Sequence, residues 1–168
     1  AIQQVVGQRH GATFYPCVSG VAQTHNFYPV RYLKPEDGAA LLALGLGMTI
    51  TDGAPCLRVS PKHPEVLPQL SVLDKVLDTT QRNFWALDLS KPEGEVGFGS
   101  DFPLIKLGID RAEGHGTLRN VASVYCVNAD RLKDGISAAG PRVISFAPIL
   151  KWKVFPLAAI LTEVLQRA

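Results

Sequence analysis

Residues 39–53 read Ala39-Ala40-Leu41-Leu42-Ala43-Leu44-Gly45-Leu46-Gly47-Met48-Thr49-Ile50-Thr51-Asp52-Gly53. The apolar run that opens this stretch is shorter than an ordinary helix, and the glycines after it favour a sharp turn. We interpret the stretch as a strand, a glycine turn, and then a short helix or strand that ends near Asp52-Gly53. It therefore predicts a strand and a second short element on either side of Gly45 and Gly47.

The sequence on both sides adds further strands and two helices. Apolar residues recur at helical spacing from Ser71 to about Arg82, and again after Pro156, where they form one stripe on a terminal amphipathic helix. Strand patterns occur at Ile2–Val6, 19–24, Phe84–Leu89, Leu104–Ile109, Asn120–Val127 and Arg142–Pro148, with a charged turn or short helix at Ala129–Asp134. This order predicts an α+β chain with a mixed or antiparallel sheet and flanking helices.

The composition excludes several classes of protein. The chain has 168 residues, of which 46% are hydrophobic, and this suits a single globular domain or a large piece of one rather than a disordered segment. Its 17 basic and 15 acidic residues give a net charge of +2, without the basic cluster that binds nucleic acid or an anionic membrane. We therefore expect neither nucleic acid nor a membrane as a partner.

The cysteines and the apolar runs bear on the cellular compartment. Cys17, Cys56 and Cys126 lie far apart, in neither a paired disulfide framework nor the spacing of a zinc site. No apolar run reaches the roughly 20 residues of a membrane span, and we do not expect the opening stretch Ala1–Val6 to be a signal peptide, because it has no basic segment. We expect a cytoplasmic protein, and the strand-like start at Ala1 favours a piece of a longer one.

Four stretches, taken in order, carry a resemblance to a known family. They are Ile2-Gln3-Gln4-Val5-Val6, Ser19-Gly20-Val21-Ala22-Gln23-Thr24, residues 43–53, and Arg58-Val59-Ser60-Pro61. In this order and spacing the chain resembles the nucleotide-binding, ATP-grasp domain of the phosphoenolpyruvate synthase and pyruvate phosphate dikinase family. Later stretches, including Thr80-Gln81-Arg82, also have counterparts in large bacterial members, so the resemblance covers most of the chain.

The resemblance implies a division of the chain and a reaction. Residues 1–69 would be the C-terminal part of the ATP-grasp domain, and residues 70–168 a family-specific α/β extension. In this family ATP phosphorylates a histidine on a swivelling domain, which passes the phosphoryl group to pyruvate. The implied cofactors are ATP and Mg²⁺. The implied partners are pyruvate or phosphoenolpyruvate and other domains of the same protein, which lie outside this chain.

The resemblance also implies roles for five residues. Gln3 would border the adenine, Gly45, Gly47 and Arg58 would lie around the phosphates, and Asp52 would bind the metal. The chemistry is reasonable, because a glycine turn brings backbone N–H groups close to phosphate oxygens and Mg²⁺ prefers oxygen ligands. Each residue also has a structural interpretation: a strand neighbour, a tight turn, an ordinary turn dipeptide or a solvated strand position.

Two acidic residues of the resembled family are missing here. The strand before the turn reads Ala40-Leu41-Leu42-Ala43-Leu44, and Met48 follows Gly47, where active members carry carboxylates. The alternative function is therefore a catalytically inactive structural or regulatory module that keeps the grasp scaffold. The retained glycines favour the enzyme, and we expect the isolated chain to be inactive in either case.

The remaining polar motifs predict no further site. The four histidines have no metal-ligand spacing, so we interpret them as surface or core residues. The apolar stripe of the terminal helix either covers a sheet of the same chain or docks on another subunit. The second interpretation predicts that the isolated chain forms a homo-oligomer.

Overall fold

The computed structural model describes residues 4–30, 32–90, 103–151 and 156–167. Its strands are β1 (Gln8–His10), β2 (Thr13–Tyr15), β3 (Ser19–Gln23), β4 (Ala39–Ala43), β5 (Leu57–Val59), β6 (Asn83–Asp88), β7 (Leu104–Gly108), β8 (Ala122–Cys126), β9 (Arg131–Asp134) and β10 (Arg142–Ile144). Its α-helices are α1 (Met48–Thr51), α2 (Leu73–Thr79), α3 (Ile109–Gly114), α4 (Leu118–Val121), α5 (Ala147–Leu150) and α6 (Leu157–Arg167). The described strands form antiparallel sheets in the orders β1-β2-β6-β7, β3-β4-β5 and β10-β8-β9, which confirms the predicted α+β class.

Strand β4 is the centre of the β3-β4-β5 sheet, and the glycine turn follows it as predicted. Because side chains alternate between the two faces of a strand, Ala40 and Leu42 enter the hydrophobic core while Leu41 lies on the other face. Leu41 is opposite Val21 of β3 and Arg58 of β5. The sheet therefore buries one face and carries Arg58 on the outer one.

The β1-β2-β6-β7 sheet joins early and late parts of the chain. Phe14 of β2 lies opposite Leu87 of β6, and Trp85 of β6 lies opposite Lys106 of β7. Strand pairing therefore crosses the predicted division between residues 69 and 70. The division itself stays a prediction about the units of the resembled family.

The β10-β8-β9 sheet corrects two details of the prediction. Ala129–Asp134 was predicted as a charged turn or short helix, but Arg131–Asp134 is strand β9, which pairs with β8 after Asp130 reverses the chain at φ 41°. The predicted strand Arg142–Pro148 ends at Ile144. Phe146 takes φ 50° there, and this left-handed residue redirects the chain into helix α5.

The two predicted helices are present. The first is α2, which begins and ends inside the predicted bounds, and the second is α6. Helix α6 packs against α5 and β3 with Leu157 buried, while Ile160 and Val164 remain 39% and 51% exposed. The apolar stripe therefore covers part of its own chain. Among the described residues, no helix is long and apolar enough to cross a membrane.

The core gathers residues from all three sheets. Tyr15 of β2 and Phe84 of β6 are fully buried and their rings contact at 4.6 Å between centroids. Leu42 and Phe146 belong to the same buried cluster. The predicted first strand, Ile2–Val6, is absent in its described part, because residues 4–7 have no regular structure before β1 begins.

Candidate functional site

The glycine turn after β4 contains one buried and one exposed glycine. Gly45 is buried at φ +83°, a backbone angle that L side chains rarely adopt. Its N–H donates to the Pro16 carbonyl at 3.1 Å, and the N–H of Leu46 donates to the Trp85 carbonyl at 2.9 Å. A Cβ at Gly45 would lie 2.6 Å from that Trp85 oxygen. Gly45 therefore lets β4 pack closely on β6, and its amide is used inside the fold.

Gly47 lies on the open side of the same turn. It is exposed, and a Cβ there would meet nothing within 4 Å. In the part of the chain that the structure describes, the amides of Gly47 and Met48 have no hydrogen-bond acceptor. Helix α1 then carries the chain through a single turn to Asp52, where Gly53 reverses it at φ +69°.

Asp52 lines a cleft of about 290 Å³, which we call the Asp52 cleft. The rim of the cleft is polar and exposed, its floor is made of buried polar residues, and one wall is aromatic. The rim consists of Asp52, Asp78, Arg82, Asn83 and Lys106, the floor of Thr49, Thr80 and Gln81, and the walls of Ala54, Pro55 and Trp85. These residues come from α1, the end of α2, β6 and β7.

The rim carries two carboxylates and two cations that do not neutralise one another. No ion pair within 4 Å joins Asp52, Asp78, Arg82 or Lys106 to any described residue of opposite charge. Arg82 donates to the Leu77 carbonyl at 2.7 Å, so its guanidinium is anchored at one nitrogen. Lys106 lies with its Nζ 5.8 Å from the centre of the Trp85 ring. The rim can therefore offer both oxygen ligands and positive charge to a solute.

The floor contains a polar atom that the fold leaves unpaired. Thr49 is 2% exposed, and its Oγ1 is the one buried side-chain oxygen or nitrogen without a hydrogen bond among the described residues. The other floor residues are satisfied: Thr80 Oγ1 accepts from the Ile144 amide at 2.9 Å, and Gln81 bonds to the backbone of Leu44. Since buried polar groups are nearly always paired, Thr49 marks the cleft as a place where a partner is missing.

The residues present suit a magnesium ion with phosphate better than a metal held by protein alone. No group of three or more His, Cys, Asp or Glu side chains is placed to hold a metal within the described ranges. Mg²⁺ in phosphate sites commonly uses one or two carboxylates, with waters and phosphate oxygens completing its shell. Asp52 and Asp78 match that donor set.

The structure does not bring all five predicted site residues together. Asp52 lines the cleft and Gly47 opens the helix that leads to it, whereas Gly45 lies buried beneath. Arg58 lines a different cavity on the outer face of β5. Gln3 lies outside the described residues. The roles of Gly45, Arg58 and Gln3 toward a nucleotide stay predictions.

Sequence reasoning missed most of the Asp52 cleft. Thr49 lies in the glycine-turn stretch without a role of its own there, and Asp78 and Lys106 belong to none of the four stretches. The three side chains line one cleft only because separate segments fold against one another. Arg82 belongs to a later stretch that has counterparts in large bacterial members of the resembled family, and this was the only signal available for it. Comparison with known proteins adds no relative: no family model, curated protein or solved structure matches the chain.

Proposed function

We propose that this chain contributes an ATP site to a phosphotransferase of the phosphoenolpyruvate synthase and pyruvate phosphate dikinase type, and that the Asp52 cleft binds Mg²⁺ and the phosphates of ATP. The observation that carries the proposal is the set of unpaired charges on one cleft beside an exposed glycine turn. The phosphohistidine and pyruvate steps belong to domains outside this chain.

Each part of the cleft has a task in this proposal. Asp52 and Asp78, which line the same cleft, would offer carboxylate oxygens to Mg²⁺, and the ion would supply charge neutralisation on the transferred phosphoryl group when it is bound. Arg82 and Lys106 offset the remaining phosphate charge, since phosphoryl transfer relies on positioning and electrostatic stabilisation rather than on covalent chemistry. The amides of Gly47 and Met48 have no acceptor among the described residues and precede Thr49, which lines the cleft. In this proposal they are available as further neutral donors to the phosphates.

A second candidate function is a catalytically inactive module that keeps the scaffold for contacts with other domains. The composition of β4 favours it, since Ala39–Ala43 presents no carboxylate beside the turn, and Met48 follows Gly47. The two candidates differ in whether the cleft binds a nucleotide at all. Binding, rather than turnover, therefore separates them.

The test is a two-dimensional NMR titration of the chain with ATP, with and without Mg²⁺. We expect saturable shifts of the amides of Gly47, Met48 and Thr49, stronger with Mg²⁺ than without it. Asp52→Asn should weaken Mg-ATP binding about tenfold, which corresponds to one lost charge-assisted contact of ~1.4 kcal/mol. It should also remove most of the Mg²⁺ dependence.

Glu36→Gln is the matched control, because Glu36 is an exposed carboxylate outside the cleft. It should leave both affinities unchanged. Absence of a saturable shift at millimolar Mg-ATP, both in this chain and in a longer chain that restores the preceding part of the nucleotide-binding domain, would support the inactive module. Equal weakening by Glu36→Gln and Asp52→Asn would mean that the effect is a general one of net charge and would contradict the metal role of Asp52.

A further inference from the structure

Arg58 lies on the outer face of β5 and is hydrogen-bonded there through both its side chain and its backbone. Its Nη2 donates to the side-chain oxygen of Asn26, and its backbone N–H donates to Gln69 Oε1 at 2.7 Å. Asn26 is only 3% exposed, its amide oxygen also accepts from the Tyr28 N–H at 3.1 Å, and its own N–H donates to the Pro35 carbonyl at 2.8 Å. The position of the guanidinium is therefore fixed by a buried side chain.

A comparison with Arg142 shows what Arg58 lacks. Both are half-buried, whereas the side chains of Arg9, Arg82, Arg111, Arg119 and Arg131 are exposed. Arg142 is paired with the Glu113 carboxylate, at 2.6 Å from Nη2 and 3.0 Å from Nε. In the described part of the chain, no carboxylate oxygen lies within 4 Å of the Arg58 guanidinium. Its side-chain partner is a neutral amide, although partly buried charges usually have an opposite charge.

The Arg58 side chain lines a cavity of about 220 Å³ with mainly apolar walls. The apolar walls are Val30, Leu33, Val59, Val66 and Pro68, and the polar lining residues are Asn26, Tyr28, Arg58, Ser60 and Gln69. A cavity of about 150 Å³ is enough to hold benzene in a protein interior. A second cavity of about 200 Å³ shares Arg58 and Tyr28 with the first. The site is therefore small, mostly apolar, and supplied with one fixed cation.

We propose that Arg58, oriented by Asn26, binds the carboxylate of a small apolar carboxylic acid whose hydrocarbon part occupies this cavity. A guanidinium matches a carboxylate in plane and in charge, and its remaining N–H groups can donate two parallel hydrogen bonds. The single cation balances one negative charge, and the apolar walls favour a hydrocarbon group over a second anion. This site has no residue in common with the Asp52 cleft and does not depend on the proposed function.

The test uses 3-phenylpropionate, its neutral amide 3-phenylpropanamide, and butyl phosphate as probes in NMR titrations of the full chain. We expect 3-phenylpropionate to shift the side-chain resonances of Asn26 and Arg58 and the amide of Tyr28 in a saturable way. The neutral amide should bind at least about tenfold more weakly, because it forgoes a charge-assisted contact. Binding of butyl phosphate more tightly than the carboxylate would overturn the assignment of ligand class.

Two variants test the role of Arg58 directly. Arg58→Met keeps the length and apolar volume of the side chain and should lose at least about tenfold in affinity, whereas Arg119→Met, at an exposed arginine on α4, should not. Asn26→Asp would give Arg58 an internal carboxylate, which should compete with the probe and abolish binding while the fold is kept. Unchanged affinity in a folded Arg58→Met or Asn26→Asp variant, or no saturable shift in the wild-type chain, would overturn the proposal.

Discussion

Two sets of polar groups lie next to one glycine turn and differ in their pairing. The first, which we call the junction, joins β4 to β6 through Gln81, which also forms part of the cleft floor, and the second consists of Thr49 and the charged rim of the Asp52 cleft. In the junction, Gln81 Oε1 accepts from the Leu44 N–H at 2.9 Å, and Gln81 Nε2 donates to the carbonyls of Leu44 at 2.9 Å and Asn83 at 2.8 Å. In the cleft, the Thr49 hydroxyl has no partner among the described residues, and Asp52 has no ion pair there.

This difference distinguishes the polar groups that stabilise the fold from the polar groups that remain available to bind a ligand. A buried donor or acceptor without a partner costs about 1–3 kcal/mol, so the interior of a protein pairs nearly all of them. The junction follows that rule with a glutamine side chain that mimics a backbone strand. The unpaired Thr49 hydroxyl and the charged groups on the rim of the cleft do not stabilise the fold as the Gln81 hydrogen bonds do. We expect these groups to contribute free energy only when a ligand binds.

We expect the largest difference in stability between two substitutions at the glycines of the turn. Gly45→Ala places a Cβ 2.6 Å from the Trp85 carbonyl at a φ of +83°, and we expect a loss of at least about 2 kcal/mol in the free energy of unfolding. Gly47→Ala, at φ −60° with open space around it, should change stability by less than about 0.5 kcal/mol. Urea denaturation measures both. Equal losses would show that the turn is a single structural unit.

The two buried threonines of the floor should respond with opposite signs. Thr80→Val removes the acceptor of the Ile144 amide, bonded at 2.9 Å, and should cost about 1–3 kcal/mol because a buried N–H loses its partner. Thr49→Val replaces an unpaired hydroxyl with a methyl group and should be neutral or stabilising by up to about 1 kcal/mol. Thermal or urea denaturation of the two variants measures these changes in stability. A loss for Thr49→Val as large as that for Thr80→Val would mean that its hydroxyl is paired after all.

The smallest effect should come from His115, a half-buried histidine that is hydrogen-bonded within the fold. His115 Nδ1 lies 2.9 Å from the Tyr15 hydroxyl, and its ring stacks on His10 with 4.6 Å between centroids. Burial, followed by the charges of His10 and Arg111, lowers the pKa of His115. The folded chain therefore takes up this proton less readily than the unfolded chain, whose histidine titrates near pH ~6.5.

The stabilising contribution of neutral His115 is thus fully present above that pH and is lost as the pH falls through the lower pKa of the folded state. We expect the free energy of unfolding, measured by urea denaturation, to differ less between about pH 7.5 and about pH 5 in His115→Gln than in the wild type. His25→Gln, at an exposed histidine, should leave the difference as it is. An unchanged pH dependence in His115→Gln would show that other groups cause it.

Local patterns predicted the elements that have strong periodicity or strong turn chemistry. The run before Gly45 formed β4, the stripe after Pro156 formed α6, and the glycine turn leads into a short helix. The prediction was wrong at Arg131–Asp134, a short charged segment without hydrophobic periodicity. This segment is a strand because it pairs with β8. Such pairing is a non-local interaction, and the segment alone contains little information about it.

The candidate site divides in the same way. The sequence pointed to Asp52, because its turn and the resemblance drew attention to it, but nothing in the sequence connected Asp78 or Lys106 with that turn. Lys106 reaches the cleft because β7 pairs with β6, which is hydrogen-bonded to the turn, and Asp78 reaches it from the end of α2. The sequence also could not show that Arg58 is oriented by Asn26, a residue far from it along the chain.

The sequence by itself determined the α+β class, the glycine turn and the amphipathic terminal helix, since these depend on composition and on spacing between near neighbours. Tertiary structure alone decided which polar groups are paired and which are left open. Pairing depends on distances of about 3 Å between side chains from separate segments. For this reason Gly45 became a packing position, Asp52 a member of a charged cleft, and Arg58 a fixed cation in an apolar cavity.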